Sequence, residues 1–224
     1  MATFCLIHGA WHESSCWDPL VPVLEKRGHR VLAPDLPLDD PELGFEQRTR
    51  PALEALAGVD GPIVIVGHSQ GTAYSCLAAG QHPESLLVYV CPRLNGFEEP
   101  PGAPDRFREG FPFPPDRPDG TSIWDADAAI GAMYPRLPPE RAQALAEELR
   151  PMAMPPGEYP LQTPPDNPSV LIYAAEDEFF QPVWERFMAR ELLGVEPIEI
   201  PGGHFPMAED PEALGDLLDR VARD

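Results

Sequence analysis

The segment Ile63–Ala79, IVIVGHSQGTAYSCLAA, joins an apolar strand to a helix through a G-x-S-x-G turn. Every residue of Ile63–Val66 is β-branched, which is typical of a strand in a parallel sheet covered on both faces. The turn Gly67–Gly71 follows at once and opens the helix Gln70–Ala79. Such a turn holds its serine in a strained conformation at the end of the strand, near the positive end of the helix dipole. We therefore predict that Ser69 is an activated nucleophile, with an ordinary glycine-rich turn as the alternative.

Short apolar strands alternate with helical segments on both sides of this turn. The other predicted strands are Phe4–Ile7, Val31–Ala33, Leu86–Val90, Val170–Ala174 and Pro197–Ile200. The other predicted helices are Ser14–Arg27, Phe45–Ala57, Trp184–Leu193 and Pro211–Val221. This alternation is typical of an α/β fold in which right-handed crossovers place helices on both faces of a parallel sheet. We expect a single domain, 1–224, because the length and the 43% hydrophobic content allow one core.

The region 93–168 interrupts this alternation between two predicted core strands. It holds more than half of the chain's 31 prolines and two short helical stretches, around Ile123–Met133 and Glu140–Leu149. Because proline cannot join a central strand, we predict no sheet here and interpret the region as an inserted lid. A disordered proline-rich linker is the alternative. Aromatic residues that need something to cover count against disorder: Phe107, Phe111, Phe113, Trp124 and Tyr134.

A nucleophilic serine needs a general base, and His204 is the best placed of the six histidines. It lies in a loop between the last predicted strand and the last helix, at the edge where parallel sheets collect their sites. A third residue should orient the imidazole, and it should follow a strand between the serine and the histidine. Asp177, Glu176 and Glu178 compete for that position after the fifth predicted strand, and we take Asp177 as the candidate.

The loop after the first predicted strand is the candidate oxyanion hole. Gly9 lets the backbone turn there, so that the N–H of Ala10 can face the nucleophile. The second donor would be the N–H of Gln70, the residue after the serine. We expect His8 to hydrogen-bond this loop. Trp11 is either a wall of the substrate pocket or part of the core.

The formal net charge of −21 disfavours nucleic acid and anionic membrane surfaces as partners. No apolar run is long enough to span a bilayer and the N-terminus lacks a basic leader, so we expect a cytoplasmic protein. The cysteines match no metal-binding spacing and are expected to be buried free thiols: Cys5, Cys16, Cys76 and Cys91. We predict neither a metal nor another cofactor, and the oligomeric state stays open.

Four motifs in a fixed order make the chain resemble the α/β-hydrolase superfamily along nearly its whole length. They are HGAWHESSCW at 8–17, GHSQG at 67–71, AEDEFFQP at 175–182 and GGHFP at 202–206. The closest likeness is to small bacterial and plant esterases related to hydroxynitrile lyases. The resemblance implies a lid over the active site, hydrolysis through an acyl-enzyme, and a core of six strands, since the first strand here resembles the third of the usual eight. It also supports Asp177 as the acid and Ala10 and Gln70 as oxyanion donors.

Two positions depart from the family pattern. Thr72 stands where a second glycine is common, and Phe205 stands where the lyase relatives carry a lysine that handles cyanide. The second departure argues against cyanohydrin cleavage. We therefore predict a serine hydrolase that cleaves a small carboxylic ester, thioester or lactone, with Trp11 and Trp124 as candidate substrate-binding residues. A lyase or cofactor-free oxidative role, and a ligand-sensing protein that kept the triad, are the alternatives.

Overall fold

Six parallel strands form the central sheet of the computed structural model, which describes residues 1–94 and 96–223. Residues 95 and 224, which the predicted domain bounds include, lie outside the described residues. In chain order the strands are β1 (Thr3–Ile7), β2 (Arg30–Leu32), β3 (Ile63–His68), β4 (Leu86–Val90), β5 (Thr121–Ser122), β6 (Met152–Ala153), β7 (Ser169–Ala174) and β8 (Ile198–Ile200). The sheet has the order β2-β1-β3-β4-β7-β8, and β5 pairs with β6 separately. The six-stranded parallel core is confirmed.

The strand order reverses between β1 and β3, because β2 lies on one side of β1 and the later core strands lie on the other. In an open parallel sheet, the carboxyl ends of the two strands at such a point form the crevice where ligands bind. The register places Ile7 of β1 opposite Gly67 of β3. The loop after β1 and the serine turn after β3 therefore leave the sheet side by side.

Helices surround this sheet, with α2 packed on α3 and α1 packed on α8. Their bounds are α1 (Val21–Lys26), α2 (Phe45–Leu56), α3 (Gly71–Gly80), α4 (Ala126–Met133), α5 (Pro139–Glu147), α6 (Pro182–Glu191), α7 (Pro206–Glu209) and α8 (Pro211–Val221). Within the described ranges, no helix is both long enough and apolar enough to cross a bilayer.

The predicted helix Ser14–Arg27 is wrong as a single element. A 3-10 turn spans Ser14–Trp17, and α1 begins only at Val21. Pro19 and Pro22 have no N–H to donate, so a continuous helix would lose backbone hydrogen bonds at both positions. The helix therefore starts again at Val21, with Pro22 in its first turn, where a missing N–H costs least.

The insertion between β4 and β7 holds α4, α5 and the β5–β6 pair. The prediction that this region contains no sheet is wrong, since Thr121–Ser122 pairs antiparallel with Met152–Ala153. Both strands are two residues long and free of proline, so the missing N–H of proline does not prevent their pairing. Helices α4 and α5 fall close to the two predicted helical stretches. Trp124 and Tyr134 are buried, which supports an ordered insertion.

Helix α3 approaches the end of β1 so closely that Gly71 leaves no room for a side chain. A Cβ built there would lie 2.5 Å from the carbonyl oxygen of Ile7 and would also collide with that of His8. A Cβ on Gly67 would collide with the side chain of Ser75 in α3. The glycines of the G-x-S-x-G turn thus set the distance between α3, β3 and the loop after β1.

We expect Gly71→Ala to lower the free energy of unfolding by about 3 kcal/mol, because the new methyl group meets backbone atoms that cannot rotate away. Gly80→Ala, at the other end of α3, is the matched control. Its Cβ meets no atom of the described residues within 4 Å, so we expect a gain of about 0.5 kcal/mol from helix propensity. Urea unfolding of both variants measures the difference; equal stabilities would contradict the close approach.

Candidate active site

Ser69 lies in the turn between β3 and α3 with a φ of +50°, in the left-handed region that non-glycine residues rarely adopt. Its N–H donates to the carbonyl of Val90 over 3.1 Å, and its own carbonyl accepts from Arg93 over 3.0 Å. These bonds hold the turn against the end of β4. The side chain is 8% exposed, so the serine sits in a nearly enclosed place at the carboxyl edge of the sheet.

Asp177 and His204 form a buried hydrogen-bonded pair. Asp177 Oδ2 accepts from His204 Nδ1 over 2.7 Å, while Asp177 Oδ1 accepts from the N–H groups of Phe179 and Phe180 over 2.7 and 3.0 Å. Asp177 is 0% exposed and His204 is 2% exposed. An imidazole that donates from Nδ1 to a carboxylate presents Nε2 as the basic nitrogen.

The two competing acids lie elsewhere. Glu176 is exposed and forms an ion pair with Arg136 over 2.6 Å. Glu178 is half-buried and lies between two buried residues of the same loop. Of the three candidates, Asp177 is therefore the one that the structure brings to His204.

His68 links the serine turn to the loop that carries His204. Its Nε2–H donates to the carbonyl oxygen of His204 over 2.8 Å, and the two rings lie 4.9 Å apart. A Cβ on Gly9, in the loop after β1, would lie 3.1 Å from the Cβ of Ser69. The structure thus gathers the serine turn, the His204 loop and the loop after β1 at one place. The catalytic roles assigned to these residues stay predictions.

The loop after β1 carries the predicted donor Ala10 and is held by two buried histidines. His8 Nδ1–H donates to the carbonyl of Gly9 over 3.0 Å, while its Nε2 accepts from the N–H of Leu36 over 2.9 Å. His12 Nδ1–H donates to the carbonyl of Ala10 over 2.7 Å. His8 therefore bonds the loop as expected from the sequence. Gln70, the other predicted donor, is the residue that precedes α3.

The sequence-based predictions assign no role to His12 or His68. Both rings are buried and bond a backbone carbonyl of the site, as His8 does. Burial lowers the pKa of His8, lowers that of His12 to about 4, and lowers that of His68 well below its usual value. All three rings are therefore neutral at pH 7. The one available signal was that these histidines lie inside the motifs HGAWHESSCW and GHSQG.

A cluster of aromatic side chains lies against His204. Phe179 stacks on the imidazole with ring centroids 4.4 Å apart and planes 23° apart. Phe111 lies 4.1 Å from Phe179 and 5.9 Å from Trp124, and Trp124 lies 5.7 Å from Trp11. The candidate substrate-binding residues Trp11 and Trp124 are therefore brought together, and the cluster connects them to the base.

The Sγ of Cys91 and ligand atoms of Asp177 and His204 all lie within 4.8 Å of one another, a spacing that a metal ion could use. The donor set fits a metal poorly. Burial raises the pKa of the Cys91 thiol well above its usual value, and the nearby carboxylates of Asp177 and Glu185 add to the shift. A protonated thiol is a weak ligand, and the other two groups already bond each other. The arrangement suits an acid–base pair.

Comparison with known proteins finds similarity to hydrolases along most of the chain. A model of the alpha/beta hydrolase family matches residues 6–217. A pyrethroid hydrolase of Sphingobium wenxiniae is 30% identical over 245 residues, which span 95% of this chain and 85% of that protein. Esterase PIR7B of Oryza sativa subsp. japonica is 36% identical over 97 residues, or 39% of this chain and 36% of that protein.

Two solved structures are similar to this chain over its whole length. The pyrethroid hydrolase PytH superimposes with a TM-score of 0.76 at 27% identity, covering 100% of this chain and 98% of the other. A methylesterase from Arabidopsis superimposes with a TM-score of 0.77 at 21% identity, covering 100% and 99% of the two chains. At that lower identity the likeness shows the fold alone.

The neutral histidines predict how stability depends on pH. The unfolded chain binds a proton on each imidazole as the pH falls through about 6.5, whereas the buried rings resist it. The unfolded state then holds more protons than the folded state. As the pH is lowered, the free energy of unfolding therefore decreases by about 1.4 kcal/mol per pH unit for each extra proton. Buried Glu185 and half-buried Glu209 act in the opposite sense above their unfolded pKa, because burial raises the pKa of each, and they offset part of this loss.

We therefore expect the free energy of unfolding, measured in urea, to drop by at least about 1 kcal/mol from pH 6.5 to pH 5.5. His68→Gln, whose amide can still donate to the carbonyl of His204, should flatten this dependence. A stability that is constant or rises over the same interval would contradict the neutral buried rings.

Proposed function

The chain belongs to the alpha/beta hydrolase family, and from this premise we propose that it cleaves a carboxylic ester through an acyl-enzyme formed on Ser69. The observation that carries the assignment of residues is the buried Asp177–His204 hydrogen bond, together with the bond that ties the His204 backbone to His68 in the serine turn, where Ser69 has a φ of +50°. A structural ion pair would not need a strained serine next to it. The two features together are what nucleophilic catalysis by serine requires.

The reaction has two halves. His204 takes the hydroxyl proton of Ser69 through Nε2 as Oγ attacks the ester carbonyl carbon, and Asp177 stabilises the imidazolium that forms. The bond to the alcohol oxygen then breaks, and the alcohol leaves with that proton. Water, deprotonated by the same imidazole, attacks the acyl-serine, releases the acid and restores Ser69. These residues supply every proton transfer in the sequence.

The negative charge on the tetrahedral intermediate needs donors on the side opposite His204. We assign this role to the backbone N–H groups of Ala10 and Gln70, which lie on the two segments that the switch point of the sheet brings together. The guanidinium of Arg93 donates to Gln70 Oε1 over 3.0 Å. This contact fixes the side chain of Gln70, and so supports the geometry of the turn.

The aromatic cluster supports an ester with an apolar, aromatic part. Trp11, Phe111, Trp124 and Phe179 form a wall next to His204, and the insertion 93–168 contributes two of them. We assign this insertion the role of a lid over the site. A relative that spans most of the chain is a pyrethroid hydrolase. By analogy, the substrate here is a bulky ester with an aromatic ring.

The lyase alternative is disfavoured by the residue after the base. Phe205 packs against the rings of His12, Tyr134 and His68 at centroid distances of 4.8, 5.1 and 5.0 Å. A buried aromatic ring offers no cation for cyanide.

The cysteines support a cytoplasmic location. The buried thiols, Cys76 and Cys91 among them, are free, and a reducing environment preserves free thiols.

Replacement of the proposed catalytic residues should abolish turnover without unfolding the protein. We expect Ser69→Ala to lower kcat by about 10⁶ and Asp177→Asn to lower it by about 10⁴, the latter because the imidazole loses its orientation. Glu178→Gln, on the same loop as Asp177, is the matched control and should keep kcat within about twofold. Initial rates with an aryl ester measure all three. More than a few per cent of activity in Ser69→Ala would contradict the assignment of the nucleophile.

The aromatic wall predicts which part of the substrate is recognised. Trp124→Ala should raise KM for a benzyl or phenoxybenzyl ester by about tenfold, since about 1–2 kcal/mol of aromatic contact is lost. The control substrate is a short-chain aliphatic ester whose alcohol is an equally good leaving group. For this ester, the same variant should keep KM within about twofold. Equal effects on the two esters would show that Trp124 is core and not pocket.

A further inference from the structure

Among the described residues, three hydrogen bonds connect the loop after β1 to the insertion 93–168. The N–H of Arg150 donates to the carbonyl of Trp11 over 2.9 Å, and the indole N–H of Trp11 donates to Ser122 Oγ over 3.2 Å. The third bond joins His12 Nε2 to the hydroxyl of Tyr134 over 2.5 Å. The insertion donors and acceptors come from three separate places along its length, so the loop is anchored to the insertion as a whole.

The proton positions in the third contact follow from its partners. The carbonyl of Ala10 can only accept, so Nδ1 of His12 carries the hydrogen. A neutral imidazole then has Nε2 as an acceptor, and Tyr134 donates its hydroxyl hydrogen to it. Burial raises the pKa of Tyr134 and lowers that of His12 to about 4, so both groups stay neutral. The result is a directed chain from Tyr134 O–H to His12 and on to the carbonyl of Ala10.

We propose that this chain of hydrogen bonds from Tyr134 through His12 to Ala10 positions the loop after β1. The insertion then sets the direction of the Ala10 N–H in addition to covering the site. The inference rests on the proposed function, which assigns that N–H to the oxyanion hole. His12 and Tyr134 act as positioning residues, since the contacts described for them are with Ala10, with each other and with Phe205.

The backbone of this loop needs such a restraint. Trp11 has a φ of +60°, a conformation that a bulky residue adopts only when its surroundings impose it. The hydrogen bond from His12 fixes the carbonyl of Ala10, and with it the plane of the Ala10–Trp11 peptide. The Ala10 N–H belongs to the preceding peptide, so the bond restrains its direction through the backbone torsions of Ala10. Phe205 lies 4.8 Å from the ring of His12 and 5.1 Å from that of Tyr134, which limits both to one orientation. Without the chain, the two bonds at Trp11 still tie the loop to the insertion, but the carbonyl of Ala10 loses its restraint and the Ala10 N–H can change direction.

The test compares two Tyr→Phe variants in the insertion. Tyr134→Phe removes the bond to His12. Tyr159→Phe is the matched control, because it also removes one buried hydrogen bond from the insertion to the core, that from Tyr159 Oη to the carbonyl of Ala73 over 2.7 Å. Turnover of an aryl ester and inhibition by an aryl trifluoromethyl ketone, which forms an oxyanion adduct with the serine, are measured on both variants. Thermal unfolding controls for stability.

We expect Tyr134→Phe to lower kcat by about 10- to 100-fold with KM within about twofold, because the oxyanion hole acts mainly in the transition state. Affinity for the trifluoromethyl ketone should fall in parallel, while affinity for the product acid should not. Tyr159→Phe should lose stability but keep kcat. His12→Asn, whose amide can replace Nδ1 as donor to Ala10, should recover part of the rate that His12→Ala loses, and it provides a second test if Tyr134→Phe does not fold.

Equal kcat values for the two Tyr→Phe variants, or a raised KM with an unchanged kcat, would overturn the inference. If the unaltered enzyme turns over esters independently of Ser69, or does not bind the trifluoromethyl ketone, the proposed function fails and this inference fails with it. The two failures are distinguished by whether the unaltered protein or only the variant departs from expectation.

Discussion

The close approach of helix α3 to the end of strand β1 is the constraint on which the site depends. A side chain at Gly71 would meet the carbonyl oxygens of Ile7 and His8, so only glycine fits at this first position of the helix. Because the chain must turn sharply from β3 into that helix, Ser69 takes a left-handed conformation. The same contact brings the loop after β1 to the side of the serine. The proposed nucleophile and the proposed oxyanion donors therefore share one packing requirement.

Neutral polar groups hold the loops that meet at this point. His68 bonds the backbone of His204, and His12 bonds that of Ala10, each at a carbonyl oxygen. The insertion also reaches the acid loop, since Arg108 donates to the carbonyl of Asp177 over 2.6 Å. The insertion thus contacts both the loop of the proposed acid and the loop of the proposed oxyanion donor. The insertion, which the sequence suggests is only a cover, is therefore part of the framework that holds the proposed catalytic groups.

The fold could be predicted, and the three central residues of the candidate site could be proposed, because their signals are local. Ser69 and Asp177 each follow a strongly apolar strand directly, and parallel strands deliver such loops to one edge of the sheet. The pairing of His12 with Tyr134 joins positions 122 residues apart, and no local pattern reports it. The β5–β6 pair was missed for a related reason, because strands of two residues are too short to show a hydrophobic periodicity in the sequence. Pro19 indicated a break in the helix predicted over Ser14–Arg27, but the helical spacing of the apolar residues favoured one continuous helix.

The central claim is that the environment of His204 and Asp177 activates Ser69. The most direct measurement is labelling of the folded protein with a fluorophosphonate, followed by intact-mass analysis and peptide mapping. We predict one adduct per chain, located on Ser69, and a labelling rate that falls by orders of magnitude in His204→Ala. An adduct on any other residue, no adduct in a sample shown to be folded, or the same labelling rate in His204→Ala would contradict the account.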